Sequence, residues 1–290
     1  MNRQTLLLIL SISIGICYGQ ENENLYNSAI NLYETENYID ALEEFKLAKQ
    51  KFQLDQNSTS VLECAAYMMK IYSLLGQFKN TIKISDEALS KLGYVELKND
   101  SLFSLFLNNK ALALRSLGDF KLANKTVDVL LNSVDNEVYL ANAYQTKSRI
   151  QIDLGEYNDA ILSAKKAIIL NADQDDTLKA ALFNIVGVGF YFKEDLDSTL
   201  YYYDKSYKLK LQIKADHYDL AITTYNLGIV QEDLGDYKKA IEYYKKAAQH
   251  DLLDRGESVG FISDIYLALC NTYVKKNDLE KAEEFADKAL

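Results

Sequence analysis

The sequence predicts an all-α protein built from about seven helical hairpins, with no sheet. Three observations carry that expectation. A three-residue turn recurs at intervals of roughly 40 residues. Small residues stand at fixed offsets on either side of each turn. The chain contains no proline, and no stretch alternates apolar and polar residues as a half-buried strand does. The turns read Glu36-Asn37-Tyr38, Gly76-Gln77-Phe78, Gly118-Asp119-Phe120, Gly155-Glu156-Tyr157, Glu194-Asp195-Leu196, Gly235-Asp236-Tyr237 and Asn277-Asp278-Leu279.

Each element follows from that register. Upstream of the turns lie Ala29, Met69, Ala111, Ser148, Gly187, Gly228 and Cys270. Downstream come Ala41, Thr81, Ala123, Ala160, Thr199, Ala240 and Ala282, and then Ala48, Ala88, Leu130, Ala167, Ser206, Ala247 and Ala289. Small side chains at facing positions let two helices approach closely. The first turn residue is expected to take the left-handed conformation that ends a helix, most readily as glycine. The aromatic or leucine that follows packs between hairpins. Neither hairpin face can be buried alone, so neighbours stack. The predicted hairpins span about 22–55, 60–97, 101–134, 136–172, 176–214, 217–254 and 258–290, as one continuous array over residues 20–290. Helix-start chemistry is read at Ser60 with Glu63, at Asp100-Ser101, at Asp135 and at Asp175-Asp176.

These residues resemble the tetratricopeptide repeat family. The fullest match is Tyr225-Asn226-Leu227-Gly228, Gly235-Asp236-Tyr237, Lys239-Ala240-Ile241-Glu242-Tyr243-Tyr244 and Lys246-Ala247. Two departures stand out. The period exceeds the roughly 34 residues usual for the family, and the proline that commonly closes a repeat is missing. The resemblance implies a right-handed α-α superhelix, a solenoid that binds a protein or an extended peptide and catalyses nothing. It also implies that non-core positions of each first helix meet the ligand. Those are Tyr26, Ile30, Tyr33, Lys70, Ser73, Asn108, Leu112, Arg115, Gln145, Arg149, Asn184, Val188, Tyr191, Tyr225, Ile229, Glu232, Leu267 and Asn271. Tyr33, Lys70, Asn108, Arg115, Gln145, Arg149, Asn184, Tyr191 and Tyr225 are the principal candidates. Among them the amides suit a peptide backbone, and Lys70, Arg115 and Arg149 suit its carboxylates.

Residues 1–19 read as an export signal. Met1-Asn2-Arg3 is followed by an apolar run from Leu6 to Ile16 and by small residues at Cys17 and Gly19, with cleavage expected after Gly19. Ile16 ahead of Cys17 argues against lipidation. The mature chain is expected in the periplasm or outside the cell, as a binding scaffold. The alternative is the N-terminal sensory region of a longer bacterial signal-transduction protein, a histidine kinase or a transcriptional regulator. With 42 acidic against 32 basic residues the net charge is −10, which disfavours nucleic acid and anionic lipid as partners.

Residues with the spacing of a catalytic or metal site are scarce. Cys64 and Cys270 lie far apart in sequence and are expected in the core. His217 and His250 read as surface or capping residues, with no metal-ligand spacing. The Asp173, Asp175 and Asp176 cluster lacks the glycine and terminal glutamate of a calcium loop. No cofactor or metal is expected. Tyr201-Tyr202-Tyr203 is expected to be packing, part buried and part exposed. The last helix carries Ala282, Phe285, Ala286, Ala289 and Leu290, an apolar face that predicts self-association, or docking of a further domain, at the C-terminal end.

Overall fold

A computed structural model describes residues 21–92, 101–172, 174–255 and 261–290. The N-terminal stretch read as a signal, with Cys17, lies outside them, as do Asp100 and Asp173. The described residues form fourteen helices and no strand. They are α1 (21–34), α2 (Tyr38–Leu54), α3 (Ser58–Leu74), α4 (Phe78–Leu92), α5 (Ser101–Ser116), α6 (Phe120–Ser133), α7 (Glu137–Asp153), α8 (Tyr157–Asn171), α9 (Asp176–Tyr191), α10 (Leu196–Gln212), α11 (His217–Asp233), α12 (Tyr237–Arg255), α13 (Phe261–Lys275) and α14 (Leu279–Ala289). They fall into two compact units, divided between Tyr139 and Leu140.

The recurring turn works as a three-residue device. Its first residue has positive φ in every hairpin: Glu36, Gly76, Gly118, Gly155, Glu194, Gly235 and Asn277. That conformation lets the next backbone N–H reach back to a carbonyl of the last helical turn. Gln77 N donates to Tyr72 O at 2.8 Å, Asp119 N to Leu114 O at 3.0 Å and Asp236 N to Gln231 O at 2.9 Å. This is the Schellman closure of a helix C-terminus. The second residue then starts the following helix. Asp119 accepts from Leu122 N at 3.1 Å, Asp195 from Ser198 N at 3.1 Å, Asp236 from Lys239 N at 3.1 Å and Asp278 from Lys281 N at 3.4 Å. A residue that ends one helix and a residue that caps the next thus stand side by side, and the chain reverses within three residues.

The small positions are buried as expected. The exceptions are Cys270 and Ala289, both half-buried in the last hairpin. In the first unit α1 to α5 share one core around Phe45, Met69, Ile71 and Phe106, and α3 also meets α5 directly. Cys64 lies inside it, and burial pushes its thiol up to about 12. In the second unit consecutive helices from α8 to α14 pack in order. Tyr203 fills the space over Gly187, and Tyr244 the space over Gly228. Of the tyrosine triplet, Tyr203 is buried, Tyr202 stacks on Phe190 and Tyr201 is exposed.

The structure departs from the sequence expectation at three places. Ser60 lies inside α3; its cap is Asn57, whose side chain accepts from Ser60 N at 3.2 Å. The start of α7 is capped by Asn136 rather than Asp135, because Asn136 Oδ1 accepts from Val138 N at 2.9 Å. In α14, Ala282 and Phe285 are buried within their own hairpin. Phe285 stacks on Tyr273 with ring centroids 5.6 Å apart, so the exposed apolar residues there are Leu279 and Leu290. Asp175 caps α9 as read, accepting from Leu178 N at 3.0 Å.

Candidate binding face on the first helices

The principal candidates from the sequence are all half-buried, and each unit gathers some of them. In the first unit, Tyr33 of α1 packs edge-on against Tyr67 of α3 at 5.3 Å. Lys70 sets its ammonium 5.2 Å from the centre of the same ring. Tyr26 belongs to the core, touching Phe45, Phe52 and Tyr67. Asn108 and Arg115 share one face of α5, two turns apart.

In the second unit Gln145 and Arg149 lie on α7, and α9, α11 and α13 form a ladder of first helices. Asn226 of α11 donates to Asn184 of α9 at 3.5 Å, and the Tyr191 hydroxyl donates to Asp233 at 2.9 Å. On the other side of α11, Glu232 gathers three donors. Its Oε2 accepts from the Tyr244 hydroxyl at 2.8 Å and the Thr272 hydroxyl at 3.1 Å, and its Oε1 from Lys275 at 2.6 Å. The side chain of Glu232 is only 11% exposed, so its charge is held by these partners.

Two pockets open along this ladder. One, of about 330 Å³, lies between α11 and α13, with Tyr225, Ile229, Leu267 and Ala268 as its apolar wall and Asp233, Asp264 and Asn271 among its polar residues. Tyr225 is fixed there by rings of Tyr244 at 5.5 Å and Phe261 at 5.0 Å. The other, of about 560 Å³, is lined by Tyr191, Phe192, Glu194, Leu196 and Asp233. Phe192 is half exposed and lies flat on Tyr157, centroids 4.9 Å apart. Asp233 borders both pockets. Together they present four carboxylates, Glu194, Glu232, Asp233 and Asp264, against the single ammonium of Lys275.

The phenols register that field. Burial, with the hydrogen bond and charge of Asp233 and the charge of Glu232, pushes Tyr191 up to about 12. Burial and the charges of Asp264 and Glu232 raise Tyr225. The hydrogen bond to Glu232 raises Lys275. An aromatic wall ending in carboxylates suits a long cationic side chain. Its methylene stem lies on the rings and its head meets the acids.

The sequence positions Tyr191, Tyr225, Ile229, Glu232, Leu267 and Asn271 all border these pockets. Asp233, Asp264 and Lys275 escape the sequence reading. Asp233 closes α11 just before the turn, off the stripe counted back from it. The other signal in the sequence, the basic residues Lys70, Arg115 and Arg149, borders neither pocket. Among the described residues no group of three or more His, Cys, Asp or Glu side chains could hold a metal ion. None of their helices is long and apolar enough to cross a membrane.

The fold and its layered first helices define a helical-hairpin repeat protein. Two family models described as tetratricopeptide repeat match residues 141–174 and 178–251. The chain is a tetratricopeptide-repeat protein. Among solved structures it is similar to a tetratricopeptide repeat protein from Parabacteroides merdae, with 16% identity over 93% of this chain and 92% of that one and a TM-score of 0.63. It is similar to the apo form of RapI, with 14% identity over 92% and 75% and a TM-score of 0.67. A Rap protein complexed with competence and sporulation factor shares 17% identity over 93% and 75%, with a TM-score of 0.65. These likenesses are of fold. No curated protein matches the chain.

Proposed function

We propose that this chain is a non-catalytic scaffold that binds an extended protein segment along α9, α11 and α13, with basic side chains of the ligand entering the two pockets that share Asp233. That shared, acid-lined pair of pockets is the observation that carries the reading. Asn271 is exposed beside them and offers its amide to a peptide backbone. A Rap protein of the same fold, complexed with competence and sporulation factor, is a precedent for ligand binding on such a scaffold. The N-terminal stretch Leu6 to Gly19 supports action in the periplasm or outside the cell, and intact-mass analysis of protein from the envelope fraction should find residues 1–19 gone. The binding reading is tested with a peptide array of matched basic, neutral and acidic sequences, probed with the labelled chain. Retention of Lys- and Arg-bearing peptides, weakening as salt is added, is expected. Retention of acidic peptides instead, or of none, overturns it.

A further inference from the structure

His217 opens α11 and His250 lies in the later turns of α12. The two helices run antiparallel from the turn at Gly235, so both residues reach the open end of one hairpin. Their rings meet there, centroids 5.6 Å apart and planes inclined by 28°, with Nδ1 facing Nδ1 at 3.3 Å. The placement is held on both sides. Asp216 caps α11 by accepting from Asp219 N at 2.7 Å, which fixes the first turn that carries His217. Ala221 and Ala247 are fully buried, and side chains of that size let α11 and α12 approach closely.

The geometry points to a two-histidine site for a late first-row transition metal ion, Zn²⁺, Ni²⁺ or Cu²⁺, ligated by Nδ1 of His217 and Nδ1 of His250. Two nitrogens each bound at about 2.0–2.1 Å to a tetrahedral zinc stand about 3.3 Å apart, which is the separation found here, and each ring turns by roughly 35° to aim its lone pair at the ion. Imidazole nitrogen is a preferred donor for these ions and a poor one for Mg²⁺ or Ca²⁺, which take oxygen. His217 is exposed and His250 half-buried, so an ion has a path in and water completes its coordination. Without metal the same two atoms share one proton as a hydrogen bond. Loading needs each ring to carry its proton on Nε2, a change of tautomer in one of them. Lys246, one turn earlier on α12, sets its ammonium 5.4 Å from the centre of the Tyr243 ring. A bound ion ties the first turn of α11 to the later turns of α12.

The test uses the untagged full chain after chelator treatment. Thermal melting and calorimetric titration are run with ZnCl₂, NiCl₂, CuSO₄ and MgCl₂, alongside His217→Ala and His250→Ala. Zinc, nickel and copper are expected to raise the melting temperature of the parent chain and to bind one ion per chain, and magnesium to do neither. Each variant should lose the rise. Because a variant could lose it by misfolding, a second readout uses the parent alone. Zinc should shield both imidazoles from diethyl pyrocarbonate, read by mass spectrometry. No rise and no shielding in the parent chain overturns the site. So does a rise that survives in both variants, or one that accompanies metal-driven dimerisation in light scattering.

Discussion

Replacing Gly228 with alanine should destabilise the protein by about 2 kcal/mol, although in an isolated helix the same change stabilises by about 1 kcal/mol. A Cβ on Gly228 falls 2.5 Å from Tyr244 Cε1, 2.6 Å from Cδ1 and 3.1 Å from Cζ. Tyr244 is 1% exposed, and its hydroxyl is held by Glu232, which also holds Thr272 and Lys275. The ring therefore moves only by disturbing that network. Overpacking of this kind costs roughly 1–3 kcal/mol. Two ring atoms well inside contact distance place it near the upper end, and about 3 less the helix-propensity gain of about 1 leaves about 2. The assay is urea unfolding followed by far-ultraviolet circular dichroism. Tyr244→Leu serves as the second background, because it removes the ring that the added methyl group meets. There Gly228→Ala should become neutral or stabilising. A neutral or stabilising Gly228→Ala in the parent chain would refute the close packing of α11 on α12.

Two further outcomes follow from named groups. Glu36 ends α1 with φ of 61°, a conformation costing a side chain roughly 1–2 kcal/mol. Glu36→Gly should stabilise by about 0.5–1 kcal/mol after the greater freedom of glycine in the unfolded chain is subtracted, read as a higher urea midpoint. Tyr26, Tyr191, Tyr203 and Tyr244 have phenols raised first by burial, Tyr191 to about 12. Unfolded phenols ionise near about pH 10, so this stability is fully present below that pH and is lost as pH rises through it toward the folded values. Urea midpoints should therefore fall from about pH 9 upward, with tyrosinate absorbance appearing together with unfolding; four phenols titrating normally in the folded protein would contradict it.

The hairpins were legible because a repeat writes its structure locally and writes it several times. Gly-Asp-aromatic encodes a helix stop, a helix cap and a packing residue in consecutive positions. Glu36 and Glu194 were recognisable only by register, since neither favours positive φ. At the links between hairpins the register fails. Gln56, Ala172 and Lys214 also take positive φ, without a glycine to mark them. The cap of α3, Asn57, is not marked there for the same reason. The places of six residues along the two pockets were legible by counting back from the turns: Tyr191, Tyr225, Ile229, Glu232, Leu267 and Asn271. The charge of the pockets was not. It depends on Asp233 at a helix end and on Lys275, which comes from another hairpin to hold Glu232. The His217–His250 contact joins residues 33 apart and needs the antiparallel pairing of two whole helices.

The most direct test of the binding account is calorimetric titration of one array-selected peptide carrying two lysines, and of its glutamate counterpart, against three proteins. These are the parent chain, Asp233→Asn/Asp264→Asn, and Arg115→Ala. The asparagine at 233 can still accept from the Tyr191 hydroxyl, so the pockets keep their shape. The lysine peptide should bind the parent and Arg115→Ala alike, and bind the double variant at least about tenfold more weakly, about 1.4 kcal/mol. A double variant that binds like the parent while Arg115→Ala loses affinity, or a glutamate peptide that binds more tightly than the lysine one, would contradict it.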